Sequence, residues 1–108
     1  MPGQELTVIQ SSVPPASFGE TVTLLAATAV NEPGAWIPLR ALHRTFVVLI
    51  EGTKAVDIEG SADGVTALPK PIKANITASD VVTTAEVCHY VRLNPKSGDG
   101  TASGYVMI

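Results

Sequence analysis

Thr45-Phe46-Val47-Val48-Leu49-Ile50-Glu51 is the stretch whose reading decides the fold. Its five apolar residues are too few for a helix and rich in side chains branched at Cβ. Such side chains lose χ1 freedom in a helix and pack well on a pleated surface. The run is therefore expected to be the central strand. Residues 54–59 follow with clean alternation, Val56 and Ile58 pointing inward and Asp57 and Glu59 outward to water.

The same bias runs through the whole chain. Its 13 valines, 7 isoleucines and 11 threonines make up 31 of 108 residues, while 9 glycines and 8 prolines punctuate it at intervals suited to a sandwich or barrel. The expected fold is all-β, a single-domain antiparallel β-sandwich of jelly-roll or immunoglobulin-like type over residues 19–108. An extended N-terminal arm or edge strand precedes it over residues 1–18. At this length one unaided core is feasible and two full domains are not.

Further strands are expected over residues 20–30, 35–39, 72–77, 86–93 and 101–108. The first begins with alternation and is read as becoming buried on both sides at Leu25, Ala26 and Ala27. Asn31-Glu32-Pro33-Gly34 reads as a turn. Asp63-Gly64 carries a hairpin signal, because the favoured two-residue turn needs positive φ. Ile72, Ala74 and Ile76 are placed on one face. Ser79-Asp80 and the residues after it read as a loop. In residues 86–93, Val87, His89, Val91 and Leu93 share one face, and Cys88, Tyr90 and Arg92 the other. Residues 94–100 read as an exposed hairpin tip, and the apolar C-terminus as a paired, packed strand.

Seven Lys and Arg against ten Asp and Glu, without runs, give no footprint for nucleic acid or an anionic membrane surface. No stretch has the length or flanks of a signal peptide or a membrane span, so the chain is expected to be made and kept in a cytoplasm. Asp57 and Glu59, about 7 Å apart along a strand, with Asp63 nearby, are the candidate metal or acid-base carboxylates. A solvated strand face gives the same pattern, and the spacing does not fit a calcium loop. Cys88 with His43 is the one conceivable thiolate-imidazole pair, without a supporting motif. No cofactor, small-molecule substrate or enzymatic activity is therefore expected.

A mean hydropathy of +0.28 with only 16% charged residues implies more apolar surface than one small core hides. The surplus points to burial between chains. Candidate partner-interface residues are Leu6, Val8, Ile9, Val13 and Phe18 in the arm, which can add as a strand to a neighbour, and Trp36, Ile37 and Leu39 as an apolar anchor.

Phe46-Val47-Val48-Leu49-Ile50-Glu51-Gly52, then Ala55-Val56-Asp57-Ile58-Glu59-Gly60-Ser61-Ala62-Asp63-Gly64, then Tyr90-Val91-Arg92-Leu93 before a glycine-rich tip and a last strand, is similar to small β-sandwich proteins of tailed-bacteriophage virions. The resemblance spans residues 45–108. It departs after the Asp-Gly turn, where Val65-Thr66-Ala67 stands in place of the family's frequent aromatic. It implies a capsid decoration (cement) protein on the outside of the head, often trimeric, with the major capsid protein as partner. Tail, neck or fibre components of the same style, and more remotely a carbohydrate-binding module, remain alternatives.

Overall fold

The computed structural model describes residues 20–40, 44–84 and 88–108. Among these the chain is all-β, a sandwich of two four-stranded antiparallel sheets. The strands are β1 (Thr21–Thr28), β2 (Ile37–Pro38), β3 (Arg44–Gly52), β4 (Ala55–Ser61), β5 (Lys73–Ile76), β6 (Asp80–Thr84), β7 (Tyr90–Ser97) and β8 (Gly100–Met107). The first sheet runs β1-β8-β3-β6 and the second β2-β7-β4-β5. This is the strand order of an eight-stranded jelly roll, which decides between the two expected sandwich types.

The register shows how the roll forms. Thr21 pairs with Met107, Ile37 with Val91, Arg44 with Thr84 and Ser61 with Ala67. The two members of each pair lie equally far from Gly64 in sequence. The chain is thus one long hairpin centred on the Asp63-Gly64 turn, slipping register where β4 meets β5 and along β1 and β8 between Thr23 and Thr28. The expected reversal is there, but as a wider turn: Asp63 Oδ1 accepts the Val65 and Thr66 N–H groups at 2.8 and 2.9 Å, and Leu68 N–H closes on Gly60 O at 2.8 Å.

A second set of pairings rolls this hairpin up. β3 pairs along its length with β8, and β4 with β7, so residues 44–61 run antiparallel to residues 90–107. Both partners cross from one sheet to the other at a shared corner. There Gly52, Gly98 and Gly100 have φ of 84°, 93° and 100°. A Cβ on Gly98 would lie 2.0 Å from Thr53 O, and one on Gly100 1.9 Å from Glu51 O. Residues 94–100 are therefore a strand end and a packed corner rather than a free tip.

Lys54 sits inside that corner, fully buried. Its Nζ donates to Ala29 O at 2.7 Å and to Asn31 Oδ1, and Asn31 Nδ2 donates to Gly98 O at 3.3 Å. The β1–β2 connection is thereby fastened to the corner. A lysine at a strand start reads as solvent-facing in sequence; here burial is tolerated because its amine keeps hydrogen-bond acceptors.

The core follows the expected alternation: Phe46, Val48, Val56, Ile58, Val91 and Leu93 are fully buried. Opposite Leu93, Gly104 leaves the space its side chain needs, since a Cβ there would stand 1.9 Å from Leu93 Cδ1. The C-terminal strand is paired on both sides, as expected of an apolar end.

β3 is an interior strand, as expected, with one face buried and Leu49 on the other 44% exposed. Several expectations are corrected. Ala26 and Ala27 are exposed because β1 is an edge strand. The segment read as a loop after Ser79 is strand β6, paired to β3; its Val-Val-Thr-Thr run suits a pleated sheet once a partner is present. Residues 35–39 contribute only the two-residue strand β2. Asn75 at φ 56° breaks the alternation of β5, so Ala74 is exposed while Ile76 is buried. The backbone bends before β7, so Cys88 is buried as a structural cysteine, while His89 is exposed instead of sharing the buried face of Val91 and Leu93.

Gly98→Ala should lower unfolding free energy in urea by about 2–4 kcal/mol, from positive-φ strain plus the overlap with Thr53. Ala27→Ser, on the exposed edge, should change it by no more than about 0.5 kcal/mol.

Candidate interaction surface

The two outer faces of the sandwich differ in chemistry. On the second sheet, β4 and β7 pair by charge, directly between Glu59 and Arg92 and diagonally between Asp57 and Lys96. Arg92 Nε donates to Glu59 Oε1 at 2.7 Å, and Asn94 Nδ2 to Glu59 Oε2 at 3.0 Å. Lys96 Nζ stands 3.2 Å from Asp57 Oδ2, while Asp57 Oδ1 accepts the Asn75 N–H at 2.9 Å. The Arg92 guanidinium also stacks on the Trp36 ring, 4.1 Å from its centroid. Opposite charges facing each other across a strand pair stabilise it and cover its outer face.

This ladder accounts for the candidate carboxylates. Asp57 is buried rather than wet, and it and Glu59 are each occupied by their own cross-strand partners. Asp63 stands apart in the central turn. Among the described residues no three His, Cys, Asp or Glu side chains come together as a metal site. Cys88 is buried, and its Sγ accepts a hydrogen bond from Arg44 Nη1 at 3.1 Å. His43 lies outside the described residues, as do Leu6, Val8, Ile9, Val13 and Phe18.

The first sheet is the opposite case. Across β1, β8, β3 and β6 one outward row is Thr23, Tyr105, Val47 and Val81, and the next is Thr21, Met107, Thr45 and Thr83. Leu49 and Ser103 extend the face towards the corner. No side chain among these ten is charged. Val81, Leu49 and Met107 are large apolar residues exposed to 62%, 44% and 41%. Charge borders the face on its corner side: Asp80 Oδ1 accepts the Val81 N–H at 2.8 Å, and Glu51 accepts a hydrogen bond from Thr101 at 3.3 Å. The hydroxyls and aliphatic groups of this face can dock on another protein surface without desolvating an ion.

The anchor read from residues 36–39 is divided by the fold. Trp36 lies on the charged face beneath Arg92 rather than in the core, and Leu39 is a core residue with 6% exposure that shows only an edge to the surface. Ile37 is half-buried. With Val22, Pro38, Leu39 and Ile108 it lines a groove of about 620 Å³ at the end of the sandwich away from the corner, where Glu20 and Arg40 also contribute.

Sequence reasoning missed the uncharged sheet face, although its signal was there. Thr45, Val47 and Leu49 of β3, Val81 and Thr83 of β6 and Ser103, Tyr105 and Met107 of β8 all lack charge, but only strand pairing makes them one surface.

Compared with protein-family models, with curated proteins and with solved structures, the chain finds no match.

The Asp63 turn gives a pH test. Hydrogen bonds from the Thr66 and Val65 N–H groups, then from the Ser61 hydroxyl, hold its carboxyl below the usual aspartate range. A depressed folded-state pKa contributes stability that is fully present above the unfolded value of about 3.9 and lost as pH falls through the folded value. Urea melts from about pH 5 down to about pH 2 should therefore fall more steeply for the wild type than for Asp63→Asn. Equal slopes would remove this role for the turn.

Proposed function

We propose that this chain is a non-enzymatic virion structural subunit, a capsid decoration or cement protein. It binds the outside of a tailed-phage head and holds neighbouring major capsid subunits together. The observation that carries the reading is the uncharged outer face of the first sheet, which has the composition of a protein-binding surface rather than of a solvated one. The resemblance of residues 45–108 to phage virion sandwiches supports it. The jelly-roll order is in keeping with it, since such rolls recur in capsid proteins, although fold by itself does not assign function.

The size of the face bears on the kind of partner. Four strands about 4.8 Å apart and some five residues at about 3.4 Å span on the order of 300 Å². A stable pairwise interface takes about 800 Å² per partner. A symmetric shell overcomes that deficit, because copies linked to one another bind with an effective concentration that multiplies a modest local affinity. On this reading the protein is made in the host cytoplasm, acts at the capsid surface as a homo-oligomer, with a trimer favoured, and needs neither nucleic acid nor membrane. A glycan-binding reading is disfavoured because Trp36, the sole tryptophan, is covered by Arg92.

Purified protein should co-sediment saturably, at a fixed ratio to the major capsid protein, with DNA-filled heads that lack it. Leu49→Lys with Val81→Lys, both on the exposed face, should leave the melting transition almost unchanged and weaken binding at least tenfold, about 1.4 kcal/mol. Wild-type protein that ignores heads but binds tails would move the assignment to the tail.

A further inference from the structure

The groove lined by Val22, Ile37, Pro38, Leu39 and Ile108 is mostly aliphatic, with Glu20 and Arg40 as its charged members. Its volume is within the range that accommodates several side chains. The chain enters the sandwich at this groove. Glu20 N–H donates to Ile108 O at 3.2 Å and Ile108 N–H returns to Glu20 O at 3.0 Å, which fixes Glu20, with nineteen residues before it in the sequence, at the groove. Those residues carry a single charged side chain, Glu5, directly before Leu6-Thr7-Val8-Ile9.

We propose that Leu6-Thr7-Val8-Ile9 of one copy occupies this groove in a second copy, so that the protein assembles through exchanged N-terminal arms. The aliphatic side chains fill the aliphatic lining, and Glu5 meets Arg40 at the rim, giving one charge pair for the one charge the arm brings. The ten residues between Ile9 and Glu20 can span about 35 Å, enough to cross to an adjacent copy. Pro14-Pro15 favours extended backbone, as does the residue before each proline. A short return of Leu6 to its own groove is therefore disfavoured relative to donation to another copy. This proposal does not depend on the partner being a phage head.

The test uses the full-length chain. Light scattering should give a mass of two or more protomers, and Leu6→Asp with Val8→Asp should raise the dissociation constant at least tenfold while the far-UV circular dichroism stays that of a folded β-protein. A mixture of Glu5→Cys chains and Arg40→Cys chains should give an inter-chain disulfide on mild oxidation. A monomeric wild type, an unweakened Leu6→Asp/Val8→Asp assembly, or a disulfide that forms only within a chain carrying both cysteines would each overturn the exchange. Monomeric protein that still co-sediments with heads would overturn it while leaving the decoration reading intact.

Discussion

One pairing rule organises this molecule: residues equally distant from Gly64 face each other across an antiparallel ladder, from Ser61 and Ala67 out to Thr21 and Met107. A two-stranded ribbon of that length cannot bury its apolar side alone, and isolated hairpins are marginal in water. Rolling the ribbon until β3 meets β8 and β4 meets β7 closes both sheets over a shared core. The roll must turn sharply somewhere. It does so where Gly52 faces Gly100, with Gly98 alongside, three residues that accept positive φ with no Cβ to collide with the opposing carbonyls.

The corner also explains the least expected burial. Lys54 is drawn inside because the chain changes sheets immediately around it, leaving its amine among the carbonyl of Ala29 and the amide of Asn31. Removing one partner of such a buried polar contact costs more than the contact contributes, because the remaining group stays desolvated. The β1–β2 connection, which pairs through only two residues of β2, is held in place by this contact and by Gly34 N–H on Leu93 O at 2.9 Å.

Rolling also sorts the surface. The outward residues of β4 and β7 bring opposite charges into register, so that sheet satisfies itself, with Glu59 between Arg92 and Asn94 and Asp57 between Lys96 and the Asn75 amide. The outward residues of β3, β6 and β8 bring hydroxyls and aliphatic groups into register, and that sheet has no internal use for its exposed Val81, Leu49 and Met107. Apolar surplus expressed in the mean hydropathy is thus concentrated on one side and in the groove at the open end. Both expose apolar area, and among the described residues neither brings a nucleophile together with a base.

Some of this was determined by sequence alone. β-branched composition fixes strand over helix, alternation identifies Phe46, Val48, Val56 and Ile58 as core, and Asp63-Gly64 marks the point of reversal. These are local properties, set by χ1 restriction, pleat period and the φ that glycine permits. The tertiary structure decided the rest, because it depends on which strands become neighbours. Val81 and Thr83 form a strand only against β3, and Ala26 and Ala27 are exposed only because β1 has a single neighbour. Asp57 and Glu59 exchange a reading as ligands for one as ion-pair partners only when β7 supplies Lys96 and Arg92. The uncharged face likewise exists only after pairing, since Leu49, Val81 and Met107 come from three separate strands. Distant segments share no local signal, so their juxtaposition had to be read from the rolled sheet.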